Sequence, residues 1–262
     1  MIAKYVEVLK VTLQNRLAYV YDQIFRSLGM VIHIFIFIQL WRVTFRSVGS
    51  TIGGFTLPQM IWYLVLTETI ITSAPRFNGR IDAEVRAGDV AYSLNRPYSY
   101  LFFQFASFLA EWLFLLPINF AAGAAVAWPL VGGIRWQPEA IPAALLAMLA
   151  GASIQFFQMA TVALLAFWLE DTRGLWLLVE RAQWLLGGLL LPVEAFPGVL
   201  RRIAEVLPFP HVVGGPARLA VDFSWQTLGS LALYQGVWLV VFVVTASTVF
   251  RLGVSRINVN GG

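Results

Sequence analysis

Residues Tyr100 to Ala127 read YLFFQFASFLAEWLFLLPINFAAGAAVA, 28 positions with one charged side chain, Glu111. A membrane-spanning α-helix needs about 20 consecutive, mostly apolar residues, so this stretch has the length and composition of a span with a turn or two to spare. Working outward, the same signature recurs at Val20 to Trp41, Leu57 to Ala74, Ile141 to Trp168, Leu175 to Leu191 and Leu228 to Phe250. Six such runs predict an all-α polytopic membrane protein with six transmembrane helices. The 262 residues are 59% hydrophobic and 12% charged, about half the charge of an ordinary soluble domain, which argues against a soluble globular class. The runs leave too little chain for a separate soluble catalytic domain. Residues 1–262 therefore read as one transmembrane domain.

Cysteine is absent, so disulfides, thiolate nucleophiles and cysteine-held metals are excluded. The net charge of +4 is dispersed between apolar runs and forms no basic patch, which argues against a nucleic-acid partner. Topology accounts for it better. With the N-terminus inside, Lys4, Lys10, Arg16, Arg76, Arg80, Arg86, Arg96, Arg173, Arg251 and Arg256 fall in the cytoplasm, against Arg42, Arg46, Arg135, Arg201, Arg202 and Arg218 outside. That excess has the sign of the positive-inside rule. Both termini are expected in the cytoplasm and the chain in the lipid of the cell (plasma or inner) membrane. The start, Met1-Ile2-Ala3-Lys4, lacks the parts of a removable signal peptide, so the first span is expected to be retained.

Within residues 1–18, Ile2, Val6, Leu9, Leu13 and Leu17 recur at helical steps with Lys4, Glu7, Lys10, Gln14 and Arg16 on other faces, the pattern of an amphipathic helix in the membrane interface. A helix packed on a partner is the alternative. Charges inside the spans are costly and should face protein or water. Asp22 and Arg26 stand at i, i+4 and can neutralise each other. His33 has no acidic or histidine residue at a spacing that would relay a proton, and reads as a hydrogen-bonded or interface histidine. Glu68, Glu111, Glu180 and Arg181 require protein or water neighbours.

Residues 76–97 mix Arg80, Asp82, Glu84, Arg86, Asp89 and Arg96 with apolar Ile81, Val85 and Ala91 to Leu94. This predicts a short cytoplasmic helix stopped at Gly88, where positive φ carries no Cβ clash. Pro97 then opens the next span. A plain connecting loop would not need this mixture, so a docking surface is expected. Residues 192–222 are broken at Pro192, Pro197, Pro208, Pro210 and Pro216, yet stay apolar through Phe196, Val199, Leu200, Ile203, Val206, Leu207 and Phe209. Short re-entrant helices before the last span fit such a segment; an interfacial helix on the outer surface is the alternative.

These features resemble the type-2 permeases of ATP-binding-cassette (ABC) exporters, in the branch with about six spans. The likeness rests on the amphipathic start, on Glu84-Val85-Arg86-Ala87-Gly88-Asp89-Val90-Ala91 with Asn95-Arg96-Pro97 behind it, and on Leu191-Pro192-Val193-Glu194-Ala195-Phe196-Pro197 followed by Leu207-Pro208-Phe209. The resemblance implies an ATPase-coupling role for Arg80, Asp82, Glu84, Arg86, Gly88, Asp89 and Arg96. It implies an outer gate at Pro192, Phe196, Pro197, Pro208 and Phe209. It also implies ABC ATPase subunits and a second permease subunit, a copy or a related chain, as partners. No G-x-x-x-x-G-K-[ST] phosphate loop occurs in the sequence, so ATP and Mg are expected on the partner ATPase and no cofactor on this chain.

An intramembrane enzyme would need a nucleophile and base or a metal set in one cavity; His33 and His211 are the only histidines and no metal-ligand spacing is present. A catalytic role and a metal site are therefore not expected. A passive channel or a non-transporting assembly factor shares the six-span pattern and differs in needing no coupling loop.

Overall fold

The computed structural model of the protein describes residues 2–17, 20–94 and 96–260, and side chains within them except at residues 2–3, 16–17, 20–24, 26 and 257–260. The side chains of the expected Asp22–Arg26 pair, and Asn95 as a whole, lie outside what is described. In order the helices are α1 Ile2–Leu17, α2 Val20–Val48, α3 Leu57–Thr72, α4 Asn78–Arg86, α5 Val90–Leu94, α6 Tyr100–Val131, α7 Ala140–Leu164, α8 Arg173–Leu186, α9 Gly198–Val206, α10 Pro208–Val212, α11 Gly214–Val221 and α12 Trp225–Asn260. A 3-10 turn, Leu165–Phe167, prolongs α7, and another, Val193–Ala195, precedes α9. Among the described residues the only β pairing is one isolated bridge between Ile52 and Phe55.

Four helical stretches are long and apolar enough to cross a membrane: Ser27–Val48, Tyr100–Val131, Ala140–Phe167 and Trp225–Arg256. The other two expected spans correspond to shorter helices. α3 has 16 residues and α8 has 14, about 24 and 21 Å at 1.5 Å per residue, against a hydrocarbon core of about 30 Å. α3 ends at Thr72 because Pro75, three positions on, biases the preceding chain away from helix. α8 ends at Leu186, where Gly187 and Gly188 follow, short of the expected Leu191.

What α3 lacks in length it makes up in enclosure, since every residue from Met60 to Ile70 is buried. A helix apolar on all faces belongs inside a bundle, and α3 lies between α2, α6 and α11. Its start is fixed by Thr56, whose backbone N–H donates to Gln59 Oε1 at 3.0 Å, and by Pro58 in the first turn, where a missing N–H costs nothing. α12 packs along α7, and α1 along α6. In α1 the half-buried residues are Tyr5, Val8, Leu9, Thr12 and Leu13, while Val6 is exposed. Leu9 and Leu13 thus lie on the packed stripe as expected and Val6 does not, while the side chains of Ile2 and Leu17 lie outside the described residues; Tyr5 joins the stripe by reaching α6, its ring 6.1 Å from that of Phe102 and its hydroxyl accepting from the Ser99 N–H at 3.0 Å.

A polar staple crosses the bundle between α2, α6 and the end of α3. Ser27 Oγ donates to Asn119 Oδ1 at 2.8 Å, and Asn119 Nδ2 donates to Ser73 Oγ at 3.0 Å. All three residues are buried. In a low-dielectric interior such groups must satisfy each other, and interhelical bonds of this kind contribute about 0.6 kcal/mol each in a membrane.

Candidate functional site

The loop between α3 and α6 is anchored before it is charged. Phe77 stacks on Phe156 of α7 with centroids 4.8 Å apart and meets Phe108 of α6 edge-on at 5.3 Å. Behind it Ile81, Val85 and Val90 are buried in the main core. Ile81 and Val85 set which side of α4 faces the bundle, and Val90 seats the start of α5. Gly88 follows α4 with φ of 77°, in the left-handed region where glycine carries no Cβ penalty, and the chain then turns into α5.

The expected coupling residues divide by what they touch. Asp82 accepts from Arg86 Nε and Nη2 at 2.9 and 3.0 Å and from Thr172 Oγ1 at 2.8 Å. Glu84 accepts from the Tyr100 hydroxyl at 2.5 Å and from Gln104 Nε2 at 2.8 Å. Arg80 donates to Gln104 Oε1 at 2.7 Å, with its Nε 4.0 Å from Glu84. Asp82 and Glu84 are therefore turned toward α6 and the turn that begins α8. Hydrogen bonding to Asp82, with the nearby charges of Asp171 and Glu170, holds the Arg86 guanidinium in its protonated form even more firmly than usual. Asp89 and Arg96 are exposed, and Arg96 donates to the Tyr98 hydroxyl at 2.7 Å. The structure places the other four in two networks, Asp82 and Arg86 with Thr172 and Arg80 and Glu84 with Gln104 and Tyr100, and leaves Asp89 and Arg96 at the rim.

Sequence reasoning missed four members of this site. Tyr100, Gln104 and Thr172 hold the acidic side chains, and Tyr92 projects from α5 with 74% of its surface exposed beside exposed Leu94. Tyr100 and Gln104 stand at i, i+4 on a mostly apolar helix, and that polar pair was the available signal. Thr172 carried none, since its partner lies in another loop.

On the other side of the bundle, residues 187–222 are tied down from several directions. The Tyr63 hydroxyl donates to Gly188 O at 2.5 Å and Thr67 Oγ1 to Leu189 O at 2.8 Å, both from α3. Gly214 N–H donates to Gly187 O at 3.0 Å. Arg218 pairs with Glu194 and lies over the Phe55 ring, 6.0 Å from its centroid. Gln235 Nε2 of α12 donates to His211 O and to Ala147 O, each at 2.8 Å, while the His211 ring stacks on Tyr234 with centroids 4.5 Å apart. α7 approaches so closely that a Cβ at Gly151 would lie 2.8 Å from Val212 O. Of the expected gate residues, Pro192, Pro208 and Phe209 are buried, Phe196 is half-buried and Pro197 is exposed. α9 leaves Val199, Ile203 and Val206 exposed, an i, i+4, i+7 apolar stripe, with Arg201 paired to Glu205 at 2.7 Å.

Among the described residues no three His, Asp or Glu side chains converge as a metal set. Arg181 lies over the Trp184 ring of its own helix, 5.0 Å from the centroid. A family model described as "ABC-2 family transporter protein" matches residues 28–261, which takes in both the loop and residues 187–222. A comparison with curated proteins found no match.

Proposed function

The chain belongs to the ABC-2 family of transporter proteins, and on that premise we propose that it is the transmembrane subunit of an ABC exporter, driven by a separate ATPase and paired with a second permease. The family is generally a non-catalytic membrane subunit, and the chain is read as a multi-pass membrane protein whose work is mechanical. In this reading α3 and α8 complete a six-span bundle, residues 192–222 form re-entrant helices, and both termini are cytoplasmic. ATPase closure moves α4 and α5, and the bundle alternates between inward-facing and outward-facing states.

One observation carries the reading: α4 is tied to three parts of the bundle. Its apolar side is sunk beside Phe77, Glu84 is held by α6, and Asp82 is held by the turn that starts α8. A connecting loop without a mechanical task would not need to be bonded to two separate elements. A force on the exposed rim, at Arg86, Asp89, Tyr92 and Arg96, would reach α6, α7 and α8 together. The proposed outer gate is residues 192–210, with Pro192, Pro208 and Phe209 as the packed base and Phe196 as the more accessible edge.

The test is to purify the protein with its membrane partners and reconstitute it in vesicles. An ATPase with a G-x-x-x-x-G-K-[ST] loop should co-purify, and vectorial transport should need both it and ATP. Passive flux through the chain alone, indifferent to ATP, would instead make it a channel; a complex without flux would make it an assembly factor.

A further inference from the structure

Glu68 of α3 is buried deep in the bundle, with 7% of its side chain exposed, and His33 Nε2 of α2 lies 3.1 Å from its Oε1. The two atoms are within ion-pair distance but are not in line for a hydrogen bond. His33 is 38% exposed and stacks on Phe37, with centroids 4.7 Å apart, so the imidazole stands between the buried carboxyl group and the surface of the bundle. The nearby hydroxyl of Thr72 is spent on Glu68 O at 2.6 Å and on Met30 Sδ at 3.4 Å, and Ser73 belongs to the Asn119 staple. The sequence reading left His33 without an acidic partner because that partner comes from a different helix.

Other charged groups on the packed helices stand apart. On α2, Arg42 is nine residues beyond His33, about 13 Å along the axis, while Arg26 and Asp22 precede it by about two and three turns. On α6, Glu111 is eight residues before Asn119, about 12 Å along the axis and farther from Glu68 than the staple itself. On α11, Arg218 is committed to Glu194. On α3 itself, Tyr63 is bonded to Gly188 O.

Two titratable groups in contact have three proton counts. With none the pair carries a negative charge, with two a positive charge, and with one it is neutral overall, as Glu-H with imidazole or as carboxylate with imidazolium. A net charge in hydrocarbon costs several kcal/mol, so the one-proton state is widened at the expense of both others, and the groups titrate as a unit. We propose that His33 and Glu68 form a proton-binding site within the membrane part of the bundle, holding one proton between them and linking α2 to α3 through it. Any motion that opens the α2–α3 seam to water removes the penalty on the charged states. Proton release or uptake then accompanies that motion.

Infrared titration of the purified protein in lipid tests this without reference to transport. The carboxylic C=O band of a buried acid should be abolished by E68Q, and its midpoint should rise by a pH unit or more, a tenfold tighter proton, in H33F. Without the imidazole, ionising Glu68 leaves an anion with neither an imidazolium nor a ring N–H beside it. H33M, which cannot donate a hydrogen bond, makes the same comparison if H33F does not fold. A spectrum unchanged by E68Q, or a midpoint indifferent to both His33 substitutions, would overturn the proposal.

Discussion

Asp82 accepts a hydrogen bond from Thr172 Oγ1 at 2.8 Å although the two stand 90 positions apart. This joins α4 to the turn that starts α8, and Thr172 is buried there. Thr172→Val should therefore loosen that junction at a cost of about 1 kcal/mol, while the Asp82–Arg86 pair survives. Hydrogen exchange at the α4 amides should quicken and ATP hydrolysis should proceed with less transport. Unaltered exchange and an unaltered ratio of transport to hydrolysis would remove the junction from the mechanism.

Charge reversal should separate the inner and outer halves of the loop. Glu84→Lys places an ammonium against Arg80 and beside the Tyr100 hydroxyl, so it should lower thermal stability by about 1–3 kcal/mol. Arg96→Glu, on the exposed rim, should stay within about 0.5 kcal/mol yet weaken ATPase association. Melting curves and co-purification read the two effects. Equal stability in both variants would contradict the division.

The architecture was legible where one helix sufficed and illegible where two had to meet. Tyr100 to Ala127 announced a span because apolar length is a local property, and Gly88 announced a turn because positive φ is local too. The direction in which Glu84 points was hidden, since it depends on Tyr100 and Gln104 one helix away. Leu57 to Ala74 looked like an ordinary span because hydropathy does not distinguish contact with lipid from contact with other helices. His33 looked solitary for the same reason, its neighbour Glu68 being 35 positions on. The division of residues 192–222 into α9, α10 and α11 follows the proline spacing, whereas the ties from Tyr63, Thr67 and Gln235 to residues 187–222 could not be read from it.

Gly88→Val should strain the backbone by about 1–2 kcal/mol, the cost of a left-handed conformation for a β-branched residue. Nothing lies within 4 Å of the position where its Cβ would stand, so the penalty is conformational and not steric. Gly88→Asn, which tolerates that region, should retain most of the stability and the coupling. Indistinguishable behaviour of the two variants would show that the turn at Gly88 is dispensable.

The orientation can be tested with single cysteines, since the native chain has none. Ser50→Cys and Gly198→Cys should react with a membrane-impermeant thiol reagent in intact cells. Ser93→Cys should react only after the membrane is opened. The reverse pattern would invert the topology.

Gly151→Ala should push α7 against the Val212 carbonyl. Overpacking of this kind costs about 1–3 kcal/mol, and the strain should appear as faster proteolysis within residues 198–212. Protection equal to that of the native protein would show that residues 198–212 are not seated through this contact.

The enclosure of α3 also bears on the choice of lipid. Mismatch between a bilayer and a helix acts on surfaces that touch acyl chains, and from Met60 to Ile70 α3 presents no such surface. That stretch is consequently released from the thickness requirement that governs the four longer helices, two of which, α2 and α6, pack on it. Shortening or lengthening the acyl chains of a reconstituted bilayer would press on the outer ring of helices and reach α3 only secondhand, through its neighbours.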